Sequence, residues 1–240
     1  MRILLVNDDG YNQTGIRILY KHLQKYGEVT LLAPEHHYSG ASASFTLGRY
    51  QELKKYEDGT YSFDGTPVDC VLFGACSGLF PKFDLVISGC NNGLNLSYDV
   101  IYSGTLGATH EALLHDLPAI AFSTDFDHFD IVDKYFDEVF EYILSKDIIS
   151  KDYILNVNFP RKQFDTIKGI VPASLFIKKD KYFYDVKDNT YFVDRIEDFS
   201  KAPEASDAYY ATNGYVSITP LAVNSYNEKN LEILKSKLEK

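Results

Sequence analysis

The chain has 240 residues, with 24 Lys+Arg against 34 Asp+Glu, a formal charge of -10 and 45% hydrophobic residues. This length and composition suit a globular protein with a sizeable core, and exclude disordered, collagen-like and disulfide-scaffold classes. The acidic balance argues against a nucleic-acid polymer or an anionic membrane as partner, since either needs a basic face, but leaves room for a small anion held through a cation.

Residues 2–6, Arg-Ile-Leu-Leu-Val, read as a strand buried on both faces, stopped by Asn7-Asp8-Asp9-Gly10. Gly15 to Tyr26 carries Ile16, Leu19, Tyr20 and Leu23 on one helical face and ends at Gly27. Val29 to Ala33 is a second strand, stopped by Pro34. This strand–helix–strand order predicts a right-handed βαβ unit and a parallel sheet. Tyr61–Phe63 reads as a short strand, followed by a helix with Thr66 as N-cap and Pro67 in its first turn, running to about Leu79.

Further strands are expected at Asp84–Ser88, ending in Gly89, at Pro118–Phe122 and at Tyr153–Val157. Helices are expected at Gly104–His115 and Asp133–Leu144. The alternation predicts an α/β fold: a Rossmann-like open, mostly parallel sheet with helices on both faces. Beyond it, Tyr182–Asp185 and Tyr191–Asp194 flank the turn Lys187-Asp188-Asn189 as an antiparallel hairpin. Residues 197–208 read as a loop, Tyr215–Thr219 as a strand ended by Pro220, and Asn227–Leu238 as a terminal helix. The expected organisation is a single domain: a catalytic body over 1–160, a hairpin arm and loop over 165–205, and a returning strand and C-terminal helix over 206–240.

Cys70, Cys76 and Cys90 form no C-x-x-C pair, and are read as small buried residues rather than nucleophiles. The first apolar run is too short for a signal-peptide core, and no stretch approaches the roughly 20 apolar residues of a membrane span. A cytoplasmic location is expected.

Ligands of open α/β sheets bind at the carboxyl ends of the strands, so the polar residues there are the candidates. Four clusters qualify: Asn7-Asp8-Asp9-Gly10, the Ser39–Ser44 loop, Ser88–Asn95, and Tyr102-Ser103-Gly104-Thr105 ahead of a helix. Adjacent carboxylates invite a cation, asparagines supply neutral oxygens, and a helix N-terminus with hydroxyls suits a phosphate. Each cluster has an ordinary competing reading as a turn or an N-cap. Their shared position favours one oxygen-lined site for Mg²⁺, Mn²⁺ or Ca²⁺. Haloacid-dehalogenase-like phosphatases need Asp-x-Asp, absent here, and zinc-dependent deacetylases need further histidine ligands; His36 and His37 are read as exposed loop residues. P-loop and dinucleotide fingerprints are also absent.

The segments Val6–Gly10, Leu32-Ala33-Pro34 with Ser39-Gly40, Ile87-Ser88-Gly89 with Asn91, Gly93 and Asn95, Asp99–Thr105, and Ser206-Asp207 with Gly214–Leu221 together resemble the SurE survival-protein family of metal-dependent 5′-nucleotidases. The resemblance covers residues 1–125 and resumes at about 206–221. It implies hydrolysis of nucleoside 5′-monophosphates and one divalent metal per subunit, Mg²⁺ or Mn²⁺. It places the metal on Asp8, Asp9, Ser39 and Asn91, with Asp8 and Asp9 catalytic, and the phosphate against Asn95, Ser103, Gly104 and Thr105. It also implies a homodimer or homotetramer that exchanges the C-terminal arm. Residues 165–205 lack the Trp- and Gly-containing hairpin pattern of that family. The alternatives are a non-catalytic nucleotide-binding regulator, or a phosphatase that also takes 3′-nucleotides or polyphosphate. Tyr102, Tyr209 and Tyr210 are candidates either for a base pocket or for packing.

Overall fold

A computed structural model describes residues 1–178, 181–223 and 228–238. In chain order its elements are β1 (Arg2–Val6), α1 (Thr14–Leu23), β2 (Glu28–Pro34), β3 (Leu53–Lys55), β4 (Tyr61–Phe63), α2 (Pro67–Cys76), β5 (Leu85–Asn92), α3 (Asp99–Tyr102), α4 (Gly104–Leu114), β6 (Ala119–Thr124), α5 (Phe129–Ser145), β7 (Ile154–Asn158), β8 (Ile170–Pro172), β9 (Lys181–Lys187), β10 (Thr190–Ile196), α6 (Asp207–Thr212), β11 (Val216–Leu221) and α7 (Glu228–Leu238). Asn227, expected to open the last helix, lies outside the described residues.

The strands form a nine-stranded sheet of order β3-β4-β2-β1-β5-β6-β7-β11-β8, with β9 and β10 as a separate hairpin. The central strands β4-β2-β1-β5-β6-β7 are all parallel, and among the described residues of this sheet antiparallel pairs occur only at β3/β4 and β11/β7. This is the expected α/β architecture. The sheet is buried on both faces because its central strands are continuous apolar runs. On one face, Ile16, Leu19 and Leu23 of α1 meet Val132, Phe136 and Phe140 of α5 over Ile3, Leu5 and Ile87. On the other, Cys70 and Val71 of α2 and Ala108 and Ala112 of α4 pack over Leu4, Val6 and Val86. From β1 the chain builds outward on one side through β2 and β4, then crosses back through α2 to β5 on the other side of β1 and continues to β6 and β7; the crevice that binds ligands in such sheets opens at that reversal.

Several boundaries differ from the sequence reading. The first helix stops at Leu23 instead of Tyr26, and a turn carries the chain to Gly27, whose Cα approaches Met1 so closely that a Cβ would sit 1.9 Å from the Met1 carbonyl oxygen. The second helix ends at Cys76, short of Leu79; its start is closed by the expected Thr66 cap, with Asp69 completing a capping box. Helix α5 begins at Phe129, a turn before the expected Asp133.

The strand expected to end at Gly89 continues to Asn92, with a register shift against β6 between Ser88 and Asn91. The Asn-rich segment is therefore partly strand. Pro220 does not end the last strand. It pairs with Leu155 of β7, while β8 reaches only as far as Ile218, so the missing N–H faces an unpaired edge. The loop expected over 197–208 gives way at Asp207 to α6, capped by Ser206. Cys76 is exposed, unlike the buried Cys70 and Cys90, because it closes α2 at the surface. Short β3 and β8, and the one-turn α3, lack the length for a periodic signal.

The hairpin matches its sequence signal. Asp188 and Asn189 both have positive φ, 48° and 62°, as a two-residue type I′ turn requires. Lys187 pairs with Thr190, and Tyr182 with Arg195. Among the described residues, no helix is long and apolar enough to cross a membrane.

Candidate active site

The chain leaves β1 through a tight loop locked by Asn7. The Asn7 amide donates to the Gly10 carbonyl at 2.9 Å, and its oxygen accepts the Gly10 N–H at 3.1 Å. This loop sets Asp8 pointing along the top of the sheet, where it is only 2% exposed. Thr105 Oγ1, from the first turn of α4, donates to Asp8 Oδ1 at 2.6 Å. Burial pushes the Asp8 carboxyl up to about 6, against the lowering effect of the Thr105 hydrogen bond. The Asp8 carbonyl accepts the Tyr38 N–H at 2.7 Å, which ties the segment after β2 to the end of β1.

Asp9 is raised as well, by burial, although the Asn92 N–H donates to its Oδ2 at 3.1 Å. His37, otherwise exposed, brings Nδ1 to 3.6 Å from Asp9 Oδ1. The Ser39 loop is held over α3 and α4: Ser42 donates its N–H to Tyr102 O and its hydroxyl to Ile101 O. The Asn91 amide donates to Gly93 O at 2.7 Å, which leaves its carbonyl oxygen for another partner. Asn95 is 3% exposed and donates to Ser123 Oγ at 2.9 Å. Ser103 caps α4 by accepting the Leu106 N–H at 3.2 Å, so its hydroxyl proton remains available to an acceptor.

Asp8, Ser39, Asn91, Asn95 and Ser103 thus border a single cleft of about 290 Å³. Asp9 borders a neighbouring depression with His37 and Asn92. Gly104 and Thr105 stand behind Asp8, where a Cβ on Gly104 would lie 2.8 Å from Asp8 Cβ. Tyr102 borders the cleft, while Tyr209 and Tyr210, both in α6, meet edge to face.

Other cleft residues were not singled out from the sequence: Asp99, Asp125, Phe126, Arg161, Arg195 and Glu197. Arg195, on the hairpin, grips Asp99 through both guanidinium nitrogens, one of them at 2.6 Å from Asp99 Oδ2. Glu197 pairs with Arg161 and lies 3.6 Å from Arg195. No local signal marks these residues, because distant segments bring them to the rim. Asn156 and Asn158 of β7 are different. Both donate to the Asn95 carbonyl, at 2.9 and 3.2 Å, and Asn158 Oδ1 accepts the Asn95 N–H at 2.8 Å. Two asparagines spaced by two in an otherwise apolar buried strand were a readable signal of a polar clamp.

Beside Asp8, the cleft offers the Ser39 hydroxyl and the Asn91 amide oxygen as candidate ligand atoms. Among the described residues, no group of three or more His, Cys, Asp or Glu side chains is arranged to hold a metal. No His or Cys among the described residues lines the cleft that Asp8 borders. It fits a hard divalent cation, which takes carboxylate and neutral oxygen together. The raised Asp8 carboxyl is the charge such a cation would relieve.

A Rossmann-like α/β sheet with carboxylates and a capped helix N-terminus converging at its strand-order reversal defines a class of protein that handles small anions. The comparisons narrow that class. The model of the family described as survival protein SurE matches residues 3–181. A protein of Histophilus somni (strain 2336) named 5′-nucleotidase SurE is 35% identical over the whole of both chains. One of the same name from Methylobacillus flagellatus is 36% identical over 93% of this chain and 94% of its own. The crystal structure of the SurE protein from Aquifex aeolicus superposes with a TM-score of 0.87 at 34% identity, covering both chains completely. The chain belongs to the SurE family.

Proposed function

We propose that this chain hydrolyses nucleoside 5′-monophosphates to nucleoside and inorganic phosphate, using one Mg²⁺ or Mn²⁺ ion held by Asp8, Asp9, Ser39 and Asn91. The observation that carries the reading is the buried Asp8 carboxylate, braced by Thr105 and opening with Ser39 and Asn91 onto the cleft capped by Ser103. The names of the full-length relatives support the nucleotide as substrate.

When bound, the ion would supply Lewis acidity, screening the phosphoryl charge and acidifying a water molecule. The chain's own groups do the rest. The Ser103 hydroxyl, the Asn95 amide and the first N–H groups of α4, at Gly104 and Thr105, receive the phosphoryl oxygens as charge shifts toward the leaving group. Asp8 or Asp9 orients the attacking water and takes its proton. Tyr102 and Phe126, 56% and 63% exposed at the rim, offer faces for a nucleobase. The cleft draws on both the body and the arm, which supports a single functional unit. Three free thiols suit a cytoplasmic setting.

The test is phosphate release from a panel of 5′- and 3′-nucleotides and polyphosphate, with Mg²⁺, Mn²⁺ or chelator. Metal-dependent release, highest on 5′-monophosphates, is expected. Binding without turnover on any substrate would replace the enzyme by a nucleotide-binding regulator.

Asp8 also sets a pH dependence. Its folded carboxyl, pushed up to about 6, titrates above its unfolded value, so the metal-free protein binds the extra proton only when folded. The Asp8 contribution to metal-free stability is therefore fully present below the unfolded value and is lost as pH rises toward 6, by about 3 kcal/mol in all. A divalent ion needs the ionised form, so its stabilising effect grows over the same range. The melting temperature gained on adding Mn²⁺ should be larger at pH 8 than at pH 5. Equal gains at both would contradict Asp8 as a ligand.

The oligomer is proposed on the hairpin. Tyr184, Val186, Tyr191 and Val193 share one of its faces, and each is more than half exposed. An isolated two-stranded hairpin is at best marginally stable in water, so this apolar face calls for cover. A second copy of this chain, exchanging its arm, provides it. Light scattering should report a dimer or tetramer. Tyr184→Lys with Val193→Lys should shift it to monomer, and a monomeric unaltered protein would refute the proposal.

A further inference from the structure

Helix α4 begins at the cleft and ends about 16 Å away, at 1.5 Å per residue, on the opposite rim of the sheet. There His115, its C-cap residue, lies between two side chains. Its Nε2 is 2.9 Å from Glu111 Oε1, and its Nδ1 is 3.7 Å from Cys76 Sγ, at the end of α2. Glu111 accepts only, so it fixes the proton of a neutral imidazole on Nε2 and leaves the Nδ1 lone pair facing the thiol. A thiol, a base within reach and a carboxylate orienting that base are the arrangement that activates a cysteine nucleophile.

Cys76 is exposed, whereas Cys70 and Cys90 are fully buried. Burial pushes both of those thiols well above the ordinary range, which makes them inert internal controls. His115, which holds Cys76 Sγ at 3.7 Å, also forms part of the wall of a depression of about 360 Å³ with Phe80, Phe83 and Lys82. The charged groups around the pair are Glu111, on the helix of His115, and Lys82 across the depression.

We propose that Cys76 is a reactive thiol, activated by His115 and Glu111, that undergoes exchange with low-molecular-weight disulfides at this second site. The Cys76 proton passes to His115 Nδ1. The thiolate attacks one sulfur of the incoming disulfide, whose S–S bond breaks as the Cys76–sulfur bond forms. The other half leaves as a thiolate and takes the proton back from His115. Cys76 is oxidised, the leaving half is reduced, and no further electron donor or acceptor is needed.

The test is reaction of the folded protein with 5,5′-dithiobis(2-nitrobenzoate) at pH 6.5, with the adduct mapped by mass spectrometry. One fast thiol is expected, mapped to Cys76 and reacting about tenfold faster than reduced glutathione, with Cys70 and Cys90 reacting only after denaturation. His115→Gln should bring the rate down to that of glutathione or below, and Glu111→Gln should give an intermediate rate. Both variants are checked for an unchanged melting temperature; a variant that melts early is replaced by His115→Asn. A Cys76 rate no higher than that of glutathione, or one indifferent to loss of the imidazole in a folded variant, would overturn the proposal.

Discussion

Asp8→Asn should lower kcat/KM on nucleoside 5′-monophosphates by about a thousandfold or more, the scale on which loss of a charged transition-state partner acts. The substitution nearly preserves shape. Thr105 Oγ1, now 2.6 Å from Asp8 Oδ1, can donate equally to an amide oxygen, and the Asn7 lock on the loop is untouched. What is lost is the ionised oxygen that faces the cleft. Removing it also removes the cost of holding a buried charge, so the metal-free variant should be more stable than the parent at pH 8, by up to about 3 kcal/mol. The melting-temperature gain from Mn²⁺ should disappear. Turnover, calorimetry and metal titration read these effects separately: a protein that merely unfolds loses stability and activity together, whereas this one should lose activity and gain stability. Parental turnover at saturating metal would remove Asp8 from the mechanism.

The second large effect is expected at Gly104. It opens α4 directly against Asp8, where an added Cβ would stand 2.8 Å from Asp8 Cβ and 3.0 Å from Oδ2. A Cβ is not the far end of a flexible side chain, and the Asp8 segment is pinned by Asn7 and by the Tyr38 N–H. The helix start must therefore shift. Gly104→Ala is by itself favourable to a helix by up to about 1 kcal/mol, so loss of function here arises from geometry rather than from helix propensity. Displacement of the helix N-terminus and of Ser103 by a fraction of an ångström should lower kcat/KM by about a hundredfold. The variant should remain folded by circular dichroism. Full activity in a folded Gly104→Ala protein would show that the approach of α4 to Asp8 has no part in catalysis.

Legibility divides along the range of the interactions. Thr66 and Pro67, Ser103, and the Asp188-Asn189 turn were readable because caps and turns are satisfied within a few residues. The apolar runs of the central strands were readable for the same reason. The strand of Asn91 and Asn92 was partly misread as a turn, because its extension past Gly89 depends on pairing with Ser123 and Thr124 of β6. Cys76 was misplaced in the interior because composition favours buried cysteine, whereas exposure depends on where α2 stops.

The α/β alternation, the polar clusters at the strand ends and the SurE resemblance are legible along the chain, since they reside in short windows and in their order. What each candidate touches is settled by the packing of distant elements. The Thr105 hydroxyl, for instance, donates to Asp8 across 97 residues, which leaves the Thr105 N–H to the phosphate side. Arg195 comes to the cleft rim through Asp99, 96 residues away, and Cys76 meets His115 across 39. Such pairs form when the sheet closes and its helices dock, and no periodicity or spacing along the chain encodes a contact that depends on where two distant elements come to rest.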